Sequence, residues 1–228
     1  MSTDTAYLAL MLDAPMQSWG FASRFQRRTT APDPTKSGVI GMICAAMGIG
    51  KGTHAEREIL PQLAALKMTS IFIPRAHNPV RRLIDFHTVQ RTRRASGKLN
   101  EDTVVTHREY LLDARFGVIL AGPITLLEQV AHALQNPVWG IWLGRKSCIP
   151  AEPVFRGLFT SRQQAEQCLL GNEPITHFSR VEEVSDFSAG ADSYNDQPIS
   201  FGQANSSSEG RLFSIRRIKR IHALIKSS

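Results

Sequence analysis

Cysteine is scarce in this chain of 228 residues: Cys44, Cys148 and Cys168 stand far apart, with no CxxC or CxH pairing. That spacing excludes the usual ligand pattern of a structural zinc site. An odd, unpatterned count points to reduced thiols in a cytosol. No basic segment precedes the short apolar run of MSTDTAYLALML, so the first residues do not read as a secretory signal. Long hydrophobic runs are missing as well. The most apolar uncharged stretch, Ser37–Gly50, has 14 residues, and Gln129–Gly144 is broken by His132, Gln135, Asn136 and Pro137. A membrane span takes about 20 apolar residues. A soluble, cytoplasmic protein with no membrane partner is therefore expected. Signatures of catalysis are also lacking. There is no GxSxG elbow, and the seven histidines form no HExxH or other close ligand pair. Gly48-Ile49-Gly50-Lys51-Gly52-Thr53 resembles a phosphate loop, but GxxxxGK[ST] requires Gly at 45, which is Ala, and Ser or Thr at 52, which is Gly. No cofactor and no metal are expected.

What the chain does have is positive charge. It carries 27 Lys and Arg against 20 Asp and Glu, a formal net charge of +7 and a pI near 9.7. Such an excess favours a polyanionic partner, nucleic acid first and acidic lipid second. Apolar residues make up 42%, enough for a globular core.

The pattern along the chain predicts an α+β fold. Tyr7–Leu12 is a continuous apolar run, the mark of a strand buried on both faces. A polar loop from Gln17 to Thr35 leads to a helix over Gly38–Met47, with Thr35 or Ser37 as N-cap and Gly48 and Gly50 as the stop. A second helix is expected over Ala55–Leu66, with Pro61 dividing it. Strands are expected at Lys67–Ile73 and Phe116–Ala121, and helices at Thr125–Leu134 and Ser161–Leu170. A final strand is expected at Leu212–Ile218. The order fits a ferredoxin-like, RNA-recognition-motif-like sandwich over residues 1–153. Residues 154–228 read as a small, mostly β extension. Within it, about 186–210 is expected to be a flexible loop, because Glu182–Asp196 holds five acids and no base and QANSSSEG follows at 203–210.

Arg82–Val89 and Thr103–Leu111 read as the arms of a long hairpin. From Arg81 to Lys98 there are six bases and one acid, Asp85. A tip carrying Arg91, Arg93, Arg94 and Lys98 projects from any core and seeks phosphate. Phe86, His87, His107 and Tyr110 flank it, and such a mixture of cations and planar rings suits single-stranded RNA. The alternative is a solvated loop. A second basic segment, Arg211–Lys226, either adds to the same field or is a solvated tail. One enzymatic reading stays open: a metal-independent ribonuclease using His87 or His107 with Tyr110 and Lys98.

Five blocks in register carry a family resemblance. They are Ala14-Pro15-Met16-Gln17-Ser18-Trp19-Gly20, Pro34-Thr35-Lys36-Ser37-Gly38-Val39-Ile40-Gly41, Asp85-Phe86-His87-Thr88-Val89, Arg108-Glu109-Tyr110-Leu111 and Leu143-Gly144-Arg145-Lys146-Ser147-Cys148. Together they resemble CasD, the fifth Cas family, from type I-E CRISPR Cascade. The resemblance implies a non-catalytic subunit that binds and caps the 5′ handle of crRNA. It implies a thumb hairpin at about 81–111 that contacts the adjacent backbone subunit, a large subunit docked beside it, and an indirect part in recognising target DNA. It further implies handle contacts from Met16, Gln17, Ser18 and Trp19, from Thr35, Lys36 and Ser37 at a helix N-terminus, from Arg108, from Arg145, Lys146 and Ser147, and from a stacking Trp142. For Trp139 core packing is expected instead. In type I-C systems a relative cuts pre-crRNA, so an endoribonuclease is the alternative.

Overall fold

The structure, a computed structural model, describes residues 5–21, 26–76, 79–93, 97–99, 102–187, 191–202 and 211–224. It is a mixed α+β fold whose centre is β1 (Thr5–Asp13). The even positions Leu8, Leu10 and Leu12 enter the main core, whereas Ala9 enters a second cluster on the other side. Side chains of a strand alternate between faces, so an unbroken apolar run is what burial on both faces requires.

Two short strands follow, β2 (Met16–Gln17) and β3 (Arg27–Arg28). Helix α1 (Lys36–Ala46) begins at Thr35, whose hydroxyl accepts from the Gly38 amide, and it stops before Gly48 at φ +71°. Helix α2 (His54–Ala65) runs through Pro61 without dividing, starting from Thr53, whose hydroxyl accepts from the Glu56 amide. Then come β4 (Lys67–Phe72), β5 (Arg81–Val89), β6 (Val104–Leu112) and β7 (Arg115–Pro123). The chain continues with α3 (Ile124–Gln135), β8 (Phe155–Phe159), α4 (Arg162–Leu170), β9 (Arg180–Glu183), β10 (Ala191–Ser200) and β11 (Leu212–Ile221).

Seven of these strands form one sheet in the order β10-β11-β9-β4-β7-β1-β8, with every neighbouring pair antiparallel. Val39, Ile40 and Ile43 of α1 and Leu127 and Val130 of α3 fill the core on one face. Ala165 and Leu169 of α4 pack with Ala9, Ile71 and Ile119 on the other. The C-terminal strands β9 and β11 continue the same sheet beyond β4.

Ala191–Ser200, inside the stretch expected to be a flexible loop, is a strand. Tyr194, Asp196 and Pro198 point inward in strict alternation. An acid on the buried face reads as loop because its countercharge is distant: Arg216 lies 20 residues away and holds Asp196 with two hydrogen bonds of 2.9 and 2.8 Å. The remainder of that expected loop, 188–190 and 203–210, lies outside the described residues.

β5 and β6 pair antiparallel over nine residues, from Arg81↔Leu112 to Val89↔Val104. With β2 and β3 they make a second, smaller sheet. Tyr110 and Leu111 root β6 in the core, and most of β5 is exposed.

The thiols differ sharply in environment. Cys44 of α1 is buried, and burial, aided by Glu56, pushes its thiol up to about 12. Burial raises Cys148 as well, whereas Cys168 is exposed. The thiolate is the reactive species. Iodoacetamide near neutral pH is therefore expected to label Cys168 alone in the folded protein, and Cys168→Ser should abolish labelling until the chain unfolds. Equally fast labelling of Cys44 would contradict the packing of α1.

Candidate nucleic-acid interface

Loop 139–148 is the piece on which the site is built. It lies against the segment after β2: the Ser18 amide donates to the Leu143 carbonyl at 3.0 Å. Gly144 sits at φ +101°, and a Cβ there would come within 1.7 Å of the Ser18 carbonyl oxygen, so only glycine permits the approach. The loop closes on itself through Leu143 N–H to Cys148 O (2.8 Å) and Cys148 N–H to Arg145 O (2.8 Å).

Arg145 ties this loop to the hairpin sheet. Its guanidinium donates to the Glu109 carbonyl of β6 at 2.8 Å and to the Arg28 carbonyl of β3 at 2.7 Å. It also lies over the Tyr110 ring at 4.6 Å. One planar fork thus holds two strands and one aromatic face, which a lysine could not do. The next residue, Lys146, is exposed, with its ammonium 5.7 Å from the Trp142 ring centre.

Between this loop, α1 and the start of β11 runs a groove of about 730 Å³. Ser18, Thr35, Ser37, Trp142, Arg145 and Lys146 line it, six of the residues singled out in the sequence. Lining it as well are Phe21, Arg28, Lys51, Trp139, Phe201, Arg211 and Phe213, which that reading did not assign to the site. Five cations face one carboxylate, Glu56, which already accepts hydrogen bonds from the Gly52 and Phe201 amides. Lys51 is held below the ordinary lysine range by burial first and by the charge of Arg211 second, against the attraction of Glu56. Cations converging in a groove with exposed rings make a surface suited to a polyanion with planar groups.

Several expectations are corrected. Trp19 is fully buried, its indole N–H donating to Gln17 Oε1 at 3.1 Å. Gln17 is buried too and donates to the Leu12 and Ala114 carbonyls. Neither side chain reaches the groove, because both are spent on bracing the turn after β1. Met16 is half-buried and packs on the core. Lys36 is fully buried, with Nζ 3.0 and 2.9 Å from the Glu183 carboxylate. The start of α1 does attract an anion, but that anion is the chain's own: Asp196 accepts from the Lys36 amide at 2.8 Å. Tyr110 is buried beneath Arg145. Trp139, expected in the core, is 46% exposed.

The hairpin residues lie elsewhere. His107 pairs with Phe86, edge to face at 4.6 Å, while His87 is opposite Thr106. Successive residues face opposite sides, so His107 and His87 are on different faces of the hairpin, and His107 and Tyr110 are too. His87 shares the Tyr110 face, but it is four positions along β5 from Tyr110's partner Leu83, roughly 13 Å. The groups of the ribonuclease reading are not gathered into one site. Arg108 is half-buried, its Nε donating to the Thr106 hydroxyl at 3.3 Å. Arg91, Arg93 and Lys98 are exposed at the hairpin end, which Arg93 and Leu99 bridge. Arg94 lies outside the described residues. Ser147 is exposed on the same loop as Lys146.

Of the second basic segment, Arg211 faces the groove, Arg216 is buried against Asp196, and Arg220 pairs with Asp33 at 2.9 Å. Over its described residues, 211–224, the segment is thus neither a tail nor one continuous field, and Lys226 lies outside them. Lys51 was visible in sequence only as part of a failed phosphate loop, and no local signal distinguishes Trp139 from a core tryptophan. Among the described residues no helix is long and apolar enough to cross a membrane.

Comparison with known proteins gives a consistent result. The family model described as CRISPR-associated protein (Cas_Cas5) matches residues 7–218. CRISPR system Cascade subunit CasD of Escherichia coli (strain K12) is 31% identical over 176 residues, covering 75% of this chain and 78% of that protein. A solved chain from a "CRISPR RNA-guided surveillance complex" superposes with a TM-score of 0.71 at 29% identity, over 94% of this chain and 89% of its own. A second structure, "Crystal structure of Cas protein", gives 0.64 at 30%, over 94% and 93%. With the family model spanning most of the sequence and these relatives covering most of it, this chain belongs to the CRISPR-associated protein (Cas_Cas5) family.

Proposed function

We propose that this chain is a non-catalytic subunit of a type I-E-like Cascade surveillance complex, where it binds and caps the 5′ handle of crRNA. The observation that carries this reading is the groove, in which Trp142 and Lys146 stand on a loop locked to β6 and β3 by Arg145. The ring stacks a handle base, and Lys146, Ser147 and Ser37 bind phosphate. Arg108 contacts the RNA from the neighbouring strand. The unit β1–α1–α2–β4–β7–α3–β8, with sheet order β4-β7-β1-β8, supports a ferredoxin-like body that takes in residues 1–153 and ends with β8 at Phe159, a few residues past the expected boundary. The later strands β9, β10 and β11 form an extension that widens the sheet beyond β4, and Phe201, Arg211 and Phe213 from it line the groove.

The β5–β6 hairpin serves as the thumb. Its outer residues Ile84, Phe86 and Val105 are apolar and exposed, which suits packing against the adjacent backbone subunit, with the handle–spacer junction at the basic tip. The large subunit docks beside the handle, and target DNA is met only through the guide RNA. The complex works in the cytoplasm.

Two measurements test this. Trp142→Ala should weaken binding of cognate repeat RNA by roughly 5- to 150-fold, as expected for one lost base stack, without changing any RNA product. Purified protein incubated with repeat RNA in EDTA should leave it intact. Cleavage at a single position, lost in His107→Ala, would replace this reading with the endoribonuclease one. Unchanged RNA retention in Trp142→Ala would remove the groove from the site.

A further inference from the structure

The groove does not end at Trp142. Loop residues Val138 and Trp139 are held by the last turn of α1, through Val138 N–H to Ala46 O (2.9 Å) and Trp139 N–H to Ala45 O (3.2 Å). That helix end then turns through the glycine segment Gly48–Gly52. Gly48 has φ +71°, and a Cβ on it would lie 2.9 Å from the Val138 side chain. A Cβ on Gly50 would lie 3.9 Å from the Trp139 ring. The turn is therefore moulded around the 138–139 loop, and Lys51 is presented beside an indole that stays 46% exposed on a backbone hydrogen-bonded to α1. Arg211, just before β11, and Phe213 within it line the same groove.

Leaving a large aromatic side chain exposed forgoes its burial energy. Holding Lys51 and Arg211 in one groove sets two like charges against each other. Lys51 responds with a lowered pKa, to which burial contributes first and Arg211 second. Both features favour a ligand that carries a planar ring and a negative charge. The glycine turn does this without being a nucleotide-triphosphate loop: the Gly52 amide is already bonded to Glu56, and the turn joins two helices.

We propose that the groove holds a second nucleotide subsite, in which Trp139 stacks a base and Lys51 with Arg211 binds its phosphate, extending the single-stranded RNA beyond the base stacked on Trp142. This rests on the reading of the groove as an RNA site. Phe213 lines the same groove, and Trp139 and Trp142 serve as two steps of one stacking platform. Every base has a π-face, so this subsite tolerates sequence change and sets how many nucleotides are gripped.

The test uses the full chain and single-stranded repeat RNAs of increasing length, up to roughly ten nucleotides, a length within the range that stacking grooves cover. Binding is read by fluorescence anisotropy, and intrinsic fluorescence is followed in parallel, because Trp19 is buried and quenching reports the two groove indoles. In the wild type, affinity should rise as the RNA becomes long enough to fill the second subsite. Trp139→Ala should lose about 5- to 150-fold on the long RNA and little on the short one. Trp139→Phe, which keeps a ring, should recover most of that. The double variant Lys51→Ala/Arg211→Ala should lower the magnitude of the log–log salt slope by about 0.7, the value for one neutralised phosphate on a single strand. If these variants bind every RNA as the wild type does while Trp142→Ala does not, the second subsite is refuted and the RNA groove stands. If Trp142→Ala also binds normally, the groove reading falls with it. If they leave RNA affinity unchanged and impair only assembly with other subunits, the surface is a protein contact and the proposal is overturned.

Discussion

Asp196→Ala is expected to lower the stability of the fold by about 3–5 kcal/mol, the range for breaking a buried ion pair from one side. Asp196 is 2% exposed and Arg216 is 4% exposed. The carboxylate accepts twice from that guanidinium and once from the Lys36 amide at the start of α1. Removing it leaves a buried cation with a distant partner, since Arg216 Nη1 is 3.9 Å from Glu183, and it takes away the acceptor of the Lys36 amide in the first turn of α1. For a chain of this size the change corresponds to a fall in Tm of about 6–20 °C. Asp196→Asn keeps the shape and one acceptor and should fall between. Asp192→Ala, on the same strand but exposed and only 3.7 Å from Arg220, should cost less than about 1 kcal/mol. A shift in Tm below about 2 °C for Asp196→Ala would mean that the ion network joining α1 to β10 and β11 does not hold them together.

Arg145→Lys is the second large effect, and it separates charge from geometry. The substitution keeps the positive field of the groove but gives up the fork that bonds the Glu109 and Arg28 carbonyls and stacks on Tyr110. Each hydrogen bond to a charged donor is worth about 1.5–3 kcal/mol. Loop 139–148 should loosen, exposing the Cys148 amide, which donates to the Arg145 carbonyl, to faster hydrogen exchange. Repeat-RNA affinity should fall by roughly 10- to 100-fold because Trp142 and Lys146 lose their fixed position. Lys146→Arg, by contrast, should bind nearly as the wild type does, since an exposed phosphate contact needs charge more than a fork. If Arg145→Lys retains full affinity, the guanidinium clasp is incidental to RNA binding.

Both predictions rest on contacts far apart in the chain, and this separates what can be read locally from what cannot. β1 is legible because an apolar run of adjacent residues reports burial on two faces directly. α1 is legible because Thr35 and Gly48 sit at its ends, where cap and stop are local. The β5–β6 arms follow from alternation, and α2 starts at Thr53 as a local cap dictates. Pro61 misleads, because the tertiary packing of Leu60 and Leu63 in the core outweighs the loss of one helical hydrogen bond. β10 misleads because an inward acid looks like loop until Arg216 is beside it.

For the site, the sequence by itself determined the positive charge, the local geometry of short caps and turns, and the Leu143–Cys148 block, from which Gly144, Arg145 and Lys146 line the groove. The tertiary structure alone decided which of the charges and rings face outward. Lys36 looks like a phosphate ligand until Glu183, 147 residues later in the chain, neutralises it, and the helix N-terminus beside it looks vacant until Asp196, 160 residues later, fills it. Trp19 and Trp139 are indistinguishable by type, yet one is sealed beneath Gly38 and the other stands open over Gly50. Arg211 reaches the same groove as Lys51 only because β11 joins the sheet next to β9 and β10. The physical reason is range. Periodicity, caps and turns act over a few residues and are written in order, whereas whether a charge is satisfied or a ring is covered depends on partners that only the folded chain brings within a few ångströms.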